Sequence, residues 1–101
     1  MIINLDSSTE KFIHKLDNKT QVRILHTIEL LEEFGHNLRM PHSKQIDSNI
    51  FELRVMGNQQ IRLIYCFWQE GITIFYGFVK QTNKIPTKEL EVIKKKYRLL
   101  A

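Results

Sequence analysis

Four glycines, two prolines and a single cysteine in 101 residues exclude several classes of protein at once. One cysteine, Cys66, cannot close an internal disulfide, so a secreted disulfide-stapled scaffold is ruled out and a reducing cytoplasm is the expected home. With no second cysteine and four scattered histidines, a zinc site of the usual spacing is not expected, and no cofactor is implied. No apolar run approaches the roughly 18 residues of a membrane span. The stretch from Met1 to Asp6 lacks the basic start and long apolar run of a signal peptide. Repeats, linkers and low-complexity segments are also missing, so residues 1–101 are expected to form one domain.

What is present is an ordinary globular composition, 43% hydrophobic and 26% charged. The charge is uneven. Residues 1–50 hold six Lys/Arg against seven Asp/Glu, a net of −1, whereas residues 51–101 hold nine against four, a net of +5. A basic half on a small domain points to a polyanion or an acidic partner.

Apolar periodicity sets the order of elements. Ile2 to Leu5 reads as a short edge strand. Ser7-Ser8-Thr9-Glu10 fits a capping box, with Ser7 as the N-cap of a helix that buries Phe12, Ile13 and Leu16. Asp17-Asn18 interrupts it. A second helix starts near Lys19, carries Val22, Leu25, Ile28 and then Leu30 or Leu31 at helical spacing, and stops at Gly35. From Gly35 to Asn49 no period is visible, which reads as a loop. Beyond it the period becomes two: Phe51 to Val55, Ile61 to Trp68 and Ile72 to Lys80 are predicted to form an antiparallel meander. Pro86-Thr87 opens a last helix with Leu90, Ile93 and Tyr97 inward and Lys94, Lys95 and Lys96 outward. The expected class is α+β, a helical hairpin on a twisted antiparallel sheet with a short C-terminal helix.

The turns allow a sharper expectation. A reversal about Gly57-Asn58-Gln59 places Arg54 directly across from Arg62. A three-residue turn, Gln69-Glu70-Gly71, with the glycine left-handed, pairs Trp68 with Ile72 and sets Arg62 against Phe78, with Lys80 as its diagonal neighbour beside Gln60. Three cations then emerge on one face near one end of the sheet, with Glu52 the only acid within reach. Like charges facing each other cost a sheet a few tenths of a kcal/mol or more, and a polyanionic ligand would relieve them. Splaying into solvent, or lying over Ile64 and Phe78, is the alternative.

At these residues the chain resembles the RelE/HigB-like toxins of type II toxin–antitoxin modules, in particular the short phage-related HigB branch. The resemblance rests on the helical pair ending in Gly35, on Leu38, Pro41 and Lys44, and on Phe51-Glu52-Leu53-Arg54. It continues through Ile61-Arg62-Leu63-Ile64-Tyr65, and Tyr76-Gly77-Phe78-Val79-Lys80 leading to Lys84-Ile85-Pro86. It implies a ribosome-dependent, metal-independent endoribonuclease that cuts messenger RNA on the ribosome. It also implies a neutralising antitoxin, such as a HigA-like helix-turn-helix protein, that carries the pair to operator DNA. By the same resemblance Arg62 and Lys80 match the family's strand arginine and end-of-strand cation, and Arg54 the arginine of its ELR segment. Two departures stand out. Ile50 and Glu52 occupy positions where some members carry strand lysines. Ile85, Pro86 and Thr87 stand where some carry a tyrosine or histidine.

RNA carries its own nucleophile, so such a site needs alignment and charge more than a protein nucleophile. Arg62 has a planar fork suited to a pentacoordinate phosphorane, Lys80 suits proton transfer or the departing 5′-oxygen, and Arg54 would orient the strand. Lys44, His42 and Lys84 are candidates for further RNA contacts. Tyr76 and Phe78 could stack a base or pack in the core. His14 and His26 read as packing or surface residues, His36 as a helix-end residue, and Trp68 and Cys66 as packing. A ParE-like inhibitor of DNA gyrase and a silent toxin-fold module acting with its antitoxin on DNA remain open alternatives.

Overall fold

In the computed structural model, which describes residues 1–100, the chain begins with β1 (Ile3–Leu5), α1 (Ser7–His14) and α2 (Asn18–Phe34). A one-turn 3-10 segment, Gly35–Asn37, leads to β2 (Ser43–Asp47), β3 (Ile50–Val55), β4 (Ile61–Trp68), β5 (Gly71–Val79) and α3 (Thr87–Leu100). The five strands form one sheet in the order β1-β5-β4-β3-β2. It is mixed, not wholly antiparallel, because β1 runs parallel to β5, with Ile3 opposite Ile72. The fold is α+β, with a helical layer on each face.

Burial follows the period-two pattern. On one face Leu53, Val55, Ile61, Leu63, Tyr65, Ile72 and Ile74 meet Ile13 of α1 and Ile24 and Leu31 of α2. On the other, Ile50, Ile64, Cys66, Phe75 and Phe78 meet Ile93 of α3. Each fully buried aliphatic or aromatic side chain contributes about 1.5–3 kcal/mol. The first two helices share a sheet face and border a common groove: α1, two turns long, lies on β5, and α2 lies on β3. Gly77 permits that approach. A Cβ there would stand 2.7 Å from Phe12 and 2.9 Å from Leu63.

Three local expectations are corrected. The N-cap of α1 is Asp6, whose Oδ1 accepts from the Thr9 amide at 2.8 Å, and not Ser7. Asp6 is the last extended residue, since its own amide still pairs with Ile74, so helical geometry begins one residue later. The aperiodic stretch after Gly35 contains strand β2, too polar to betray itself: only Ser43 and Ile46 turn inward, and Lys44, Gln45 and Asp47 are exposed. Trp68, read as packing, is 38% exposed at the tip of β4.

Candidate nucleic-acid interface

The β3–β4 register is as the turn chemistry predicts: Arg54 lies opposite Arg62, and Val55 opposite Ile61. The β4–β5 register reaches the expected pairing by another route. Gln69 and Glu70 are both left-handed, which makes a two-residue reversal and pairs Trp68 with Gly71 rather than Ile72. Gly71 is used for contact, not for turning. The Ile2 carbonyl lies 3.0 Å from where its Cβ would be and accepts from the Ile72 amide at 2.9 Å. The register then shifts by one between Ile64 and Tyr65, with Phe75 as the extra residue of a bulge. Beyond the bulge Arg62 faces Phe78, and the Lys80 amide donates to the Gln60 carbonyl at 2.7 Å. Without that extra residue, Phe78 and Lys80 would point to the α1–α2 face. The bulge is therefore what brings the third cation to the first two.

A single carboxylate sits between the arginines. Glu52, 2% exposed, places Oε1 3.5 Å from Nε of Arg54 and 3.6 Å from Nε of Arg62. Arg62 is itself 3% exposed. Its Nη1 donates to the Ile61 carbonyl at 3.0 Å and its Nη2 to Oε1 of Gln60 at 3.4 Å. The planar fork of Arg62 is thus partly engaged, because the strand backbone and Gln60 each take one hydrogen. A guanidinium has five N–H donors, so one hydrogen on each Nη is left over. Burial lowers the Arg62 pKa, the Glu52 charge opposes that, and Arg54 adds to it. Burial likewise holds the Lys80 ammonium below the usual lysine range, against the pull of Glu52 and with the push of Arg62, Arg54 and Lys44.

These groups line one open cleft at the end of the sheet that α3 leaves bare. Its first lobe, about 330 Å³, is walled by Arg54, Gln60, Arg62, Lys80, Gln81, Thr82 and Asn83. Arg54, Lys80 and Asn83 also border a second lobe with Lys44, Glu52, Lys84, Ile85 and Leu90. Arg54, Arg62, Lys80, Lys44 and Lys84 therefore meet on one surface, with Glu52 alone among them.

Three candidates lie elsewhere. His42 is exposed and borders a groove on the α2 side, beside Val22, His26 and Met56, that it shares with Arg54 but not with Arg62 or Lys80. Phe78 is 6% exposed and belongs to the core beneath α3. The Tyr76 hydroxyl donates to Glu89 at 2.8 Å, and Lys96 of α3 lies 5.4 Å from its ring centroid. Burial and Glu89 push its pKa up to about 12. Both aromatic rings are held by α3, so neither offers a free face to a base. Conversely, Gln60, Gln81, Thr82 and Asn83 line the cleft without having been singled out as site residues. The only signal for them was the run Gln81-Thr82-Asn83, which has no apolar residue to bury.

The fold and its cleft place the chain in the class of three-layer α+β domains with a cation-lined cleft at one sheet end. Within that class the chain belongs to the phage-derived Gp49-like family (DUF891), whose pattern matches residues 11–98. No curated protein matches the chain closely enough to serve as a named relative.

Proposed function

We propose that this protein is the toxin of a type II toxin–antitoxin module and cuts messenger RNA on the ribosome in the manner of the RelE/HigB-like nucleases. The Gp49-like family is toxin-like and associated with toxin–antitoxin modules, which supports a toxin and an antitoxin partner. The observation that carries the nuclease reading is the convergence of Arg54, Arg62 and Lys80 on one cleft with a single shared carboxylate. Three cations and one anion leave that lobe with a net of +2, the charge balance of a site for a bridging phosphate and the negative charge that builds on it.

In this reading the 2′-hydroxyl gives up its proton to solvent water as its oxygen attacks the adjacent phosphorus, the P–O5′ bond breaks, and the products are a 2′,3′-cyclic phosphate and a 5′-hydroxyl. Arg62, immobile in the floor, supplies its two uncommitted hydrogens to the phosphorane oxygens. A fixed donor of this kind contributes about 3 kcal/mol because it need not reorganise as charge develops. Lys80 gives its proton to the departing 5′-oxygen, a transfer eased by a pKa that its desolvation and its cationic neighbours depress. Arg54 orients the strand, and Lys44 and Lys84 hold the next phosphates in the second lobe. The protein acts in the cytoplasm, where ribosomes are, and reaches operator DNA through its antitoxin.

The test is to map 5′ ends of cellular mRNA after brief induction, comparing the natural chain with Arg62→Lys and Lys80→Ala. New ends that appear within translated regions, and that each variant reduces by tenfold or more, support the reading. DNA damage with intact transcripts would favour gyrase inhibition instead.

A further inference from the structure

Two arginines directly opposite each other on neighbouring strands repel, and here both are held by one buried carboxylate. The contact is made at Nε, the stem side of each guanidinium, and not at the terminal nitrogens. Neither Nε has a hydrogen-bond partner within normal distance, and both are shut off from water. Glu52 is thus a shared electrostatic anchor at 3.5 and 3.6 Å rather than a tight ion pair to either side chain. A carboxylate that engages Nε leaves the Nη ends to other partners: Nη1 of Arg54 donates to Sδ of Met40 at 3.5 Å, those of Arg62 donate to the Ile61 carbonyl and Gln60, and both side chains line the open cleft. Were Glu52 there only to neutralise charge, a bidentate clasp on the Nη atoms of one arginine would be the stronger arrangement, and it would take that arginine out of use.

We propose that Glu52 is the positioning residue of this site, holding the Nε sides of Arg54 and Arg62 so that both guanidiniums serve one phosphate. The inference rests on the nuclease reading and deepens it. Glu52, 2% exposed, lies beneath the two side chains at the border of the second lobe. Its function is geometric. It sets the spacing and orientation of two cations that would otherwise splay apart, and a site misaligned by about 1 Å loses on the order of a hundredfold in rate.

The decisive variant is Glu52→Gln, which keeps the shape and removes the charge. It is expected to bind a short RNA oligonucleotide at low salt at least as tightly as the natural chain, since the cleft gains a positive charge. It is also expected to cut ribosome-bound mRNA at least tenfold more slowly. The Nε–H proton signals of Arg54 and Arg62, distinct in the natural chain, should move toward the free-arginine position. Glu52→Asp, which keeps the charge on a shorter stem, should fold, bind as the natural chain does, and cut at an intermediate rate. A purely structural glutamate gives a different pattern, with binding and cutting falling together in step with the folded fraction read by circular dichroism. That pattern overturns the proposal, as does wild-type cutting by Glu52→Gln. If Glu52→Gln does not fold, Glu52→Asp decides alone: wild-type cutting despite displaced Nε–H signals overturns the role. A natural chain that leaves transcripts intact overturns the nuclease reading instead, and the Nε–H arm then still reports whether Glu52 orients the guanidiniums.

Discussion

The two faces of the sheet are built from the same strands and treat charge in opposite ways. Toward α1 and α2, the buried strand positions from Leu53 to Ile74 form a continuous apolar layer. Toward α3, apolar residues run only as far as the helix reaches, and past that edge the same strands carry Glu52, Arg54 and Arg62. The cost of desolvating a charge explains the boundary. Under a helix an arginine would need a complete set of partners, whereas at the bare end of the sheet a partly satisfied cation can complete its set with a ligand. A stability layer and a candidate binding surface thus lie back to back, separated by the thickness of one strand.

Substitutions on the two faces should therefore separate folding from function. The largest effect is expected from Leu63→Ala on the apolar face, a loss of about 2–5 kcal/mol in urea unfolding, with RNA affinity per folded molecule unchanged. Next comes Gly77→Ala, which drives a methyl group into Phe12 and Leu63 and should cost about 1–3 kcal/mol by the same measurement. If α1 instead shifts freely and stability holds, the close approach of α1 to β5 is not a constraint.

A pH titration probes the α3 face. The folded pKa of Tyr76 is raised to about 12 from the ordinary 10.0, so the folded state keeps a proton that the unfolded chain has released. Stability should fall as pH rises from about 10 to about 12, and absorbance near 295 nm should show one tyrosine titrating late. Tyr76→Phe should remove the late step.

Lys80→Ala should act weakly and with the opposite sign on stability, raising it by a few tenths of a kcal/mol while RNA binding drops. The pH dependence has the same direction. Lys80 has a folded pKa below its ordinary 10.5, so the unfolded chain binds the extra proton in the window between them, and stability rises with pH there as anion binding weakens. Smallest of all should be the response of Cys66 to a thiol reagent. Burial pushes its pKa up to about 11, so the native chain should show no labelling at neutral pH, and one equivalent should appear only on denaturation.

Much of this organisation is legible in the linear order of residues. Alternation in Phe51–Val55 and Ile61–Trp68, the Gly57 reversal and the Gly35 stop are local signals, and the facing of Arg54 and Arg62 follows from them by counting. The Glu52 carboxylate was visible as the one acid nearby, because a period of two places residues 52 and 54 on the same face.

Other features depended on neighbours far away in the chain. Parallel pairing of β1 with β5 is a long-range choice that took Gly71 out of the turn and left Gln69 and Glu70 to make it. The Phe75 bulge that aims Lys80 into the cleft has no local signature, since Phe75 and Tyr76 both turn to the α3 face, where Phe75 meets Tyr97 and the core around Ile93. Whether Tyr76 and Phe78 face a ligand or a helix was decided by where α3 comes to rest. By itself the order of residues determined that Phe51–Val55 and Ile61–Trp68 form strands, that Glu52, Arg54 and Arg62 share a face, and where positive charge accumulates, because those depend on period and sign. Only the tertiary structure decided how deeply Arg62 is sunk, what holds its Nε and which aromatic rings are spoken for, because burial and partnership belong to the space between elements.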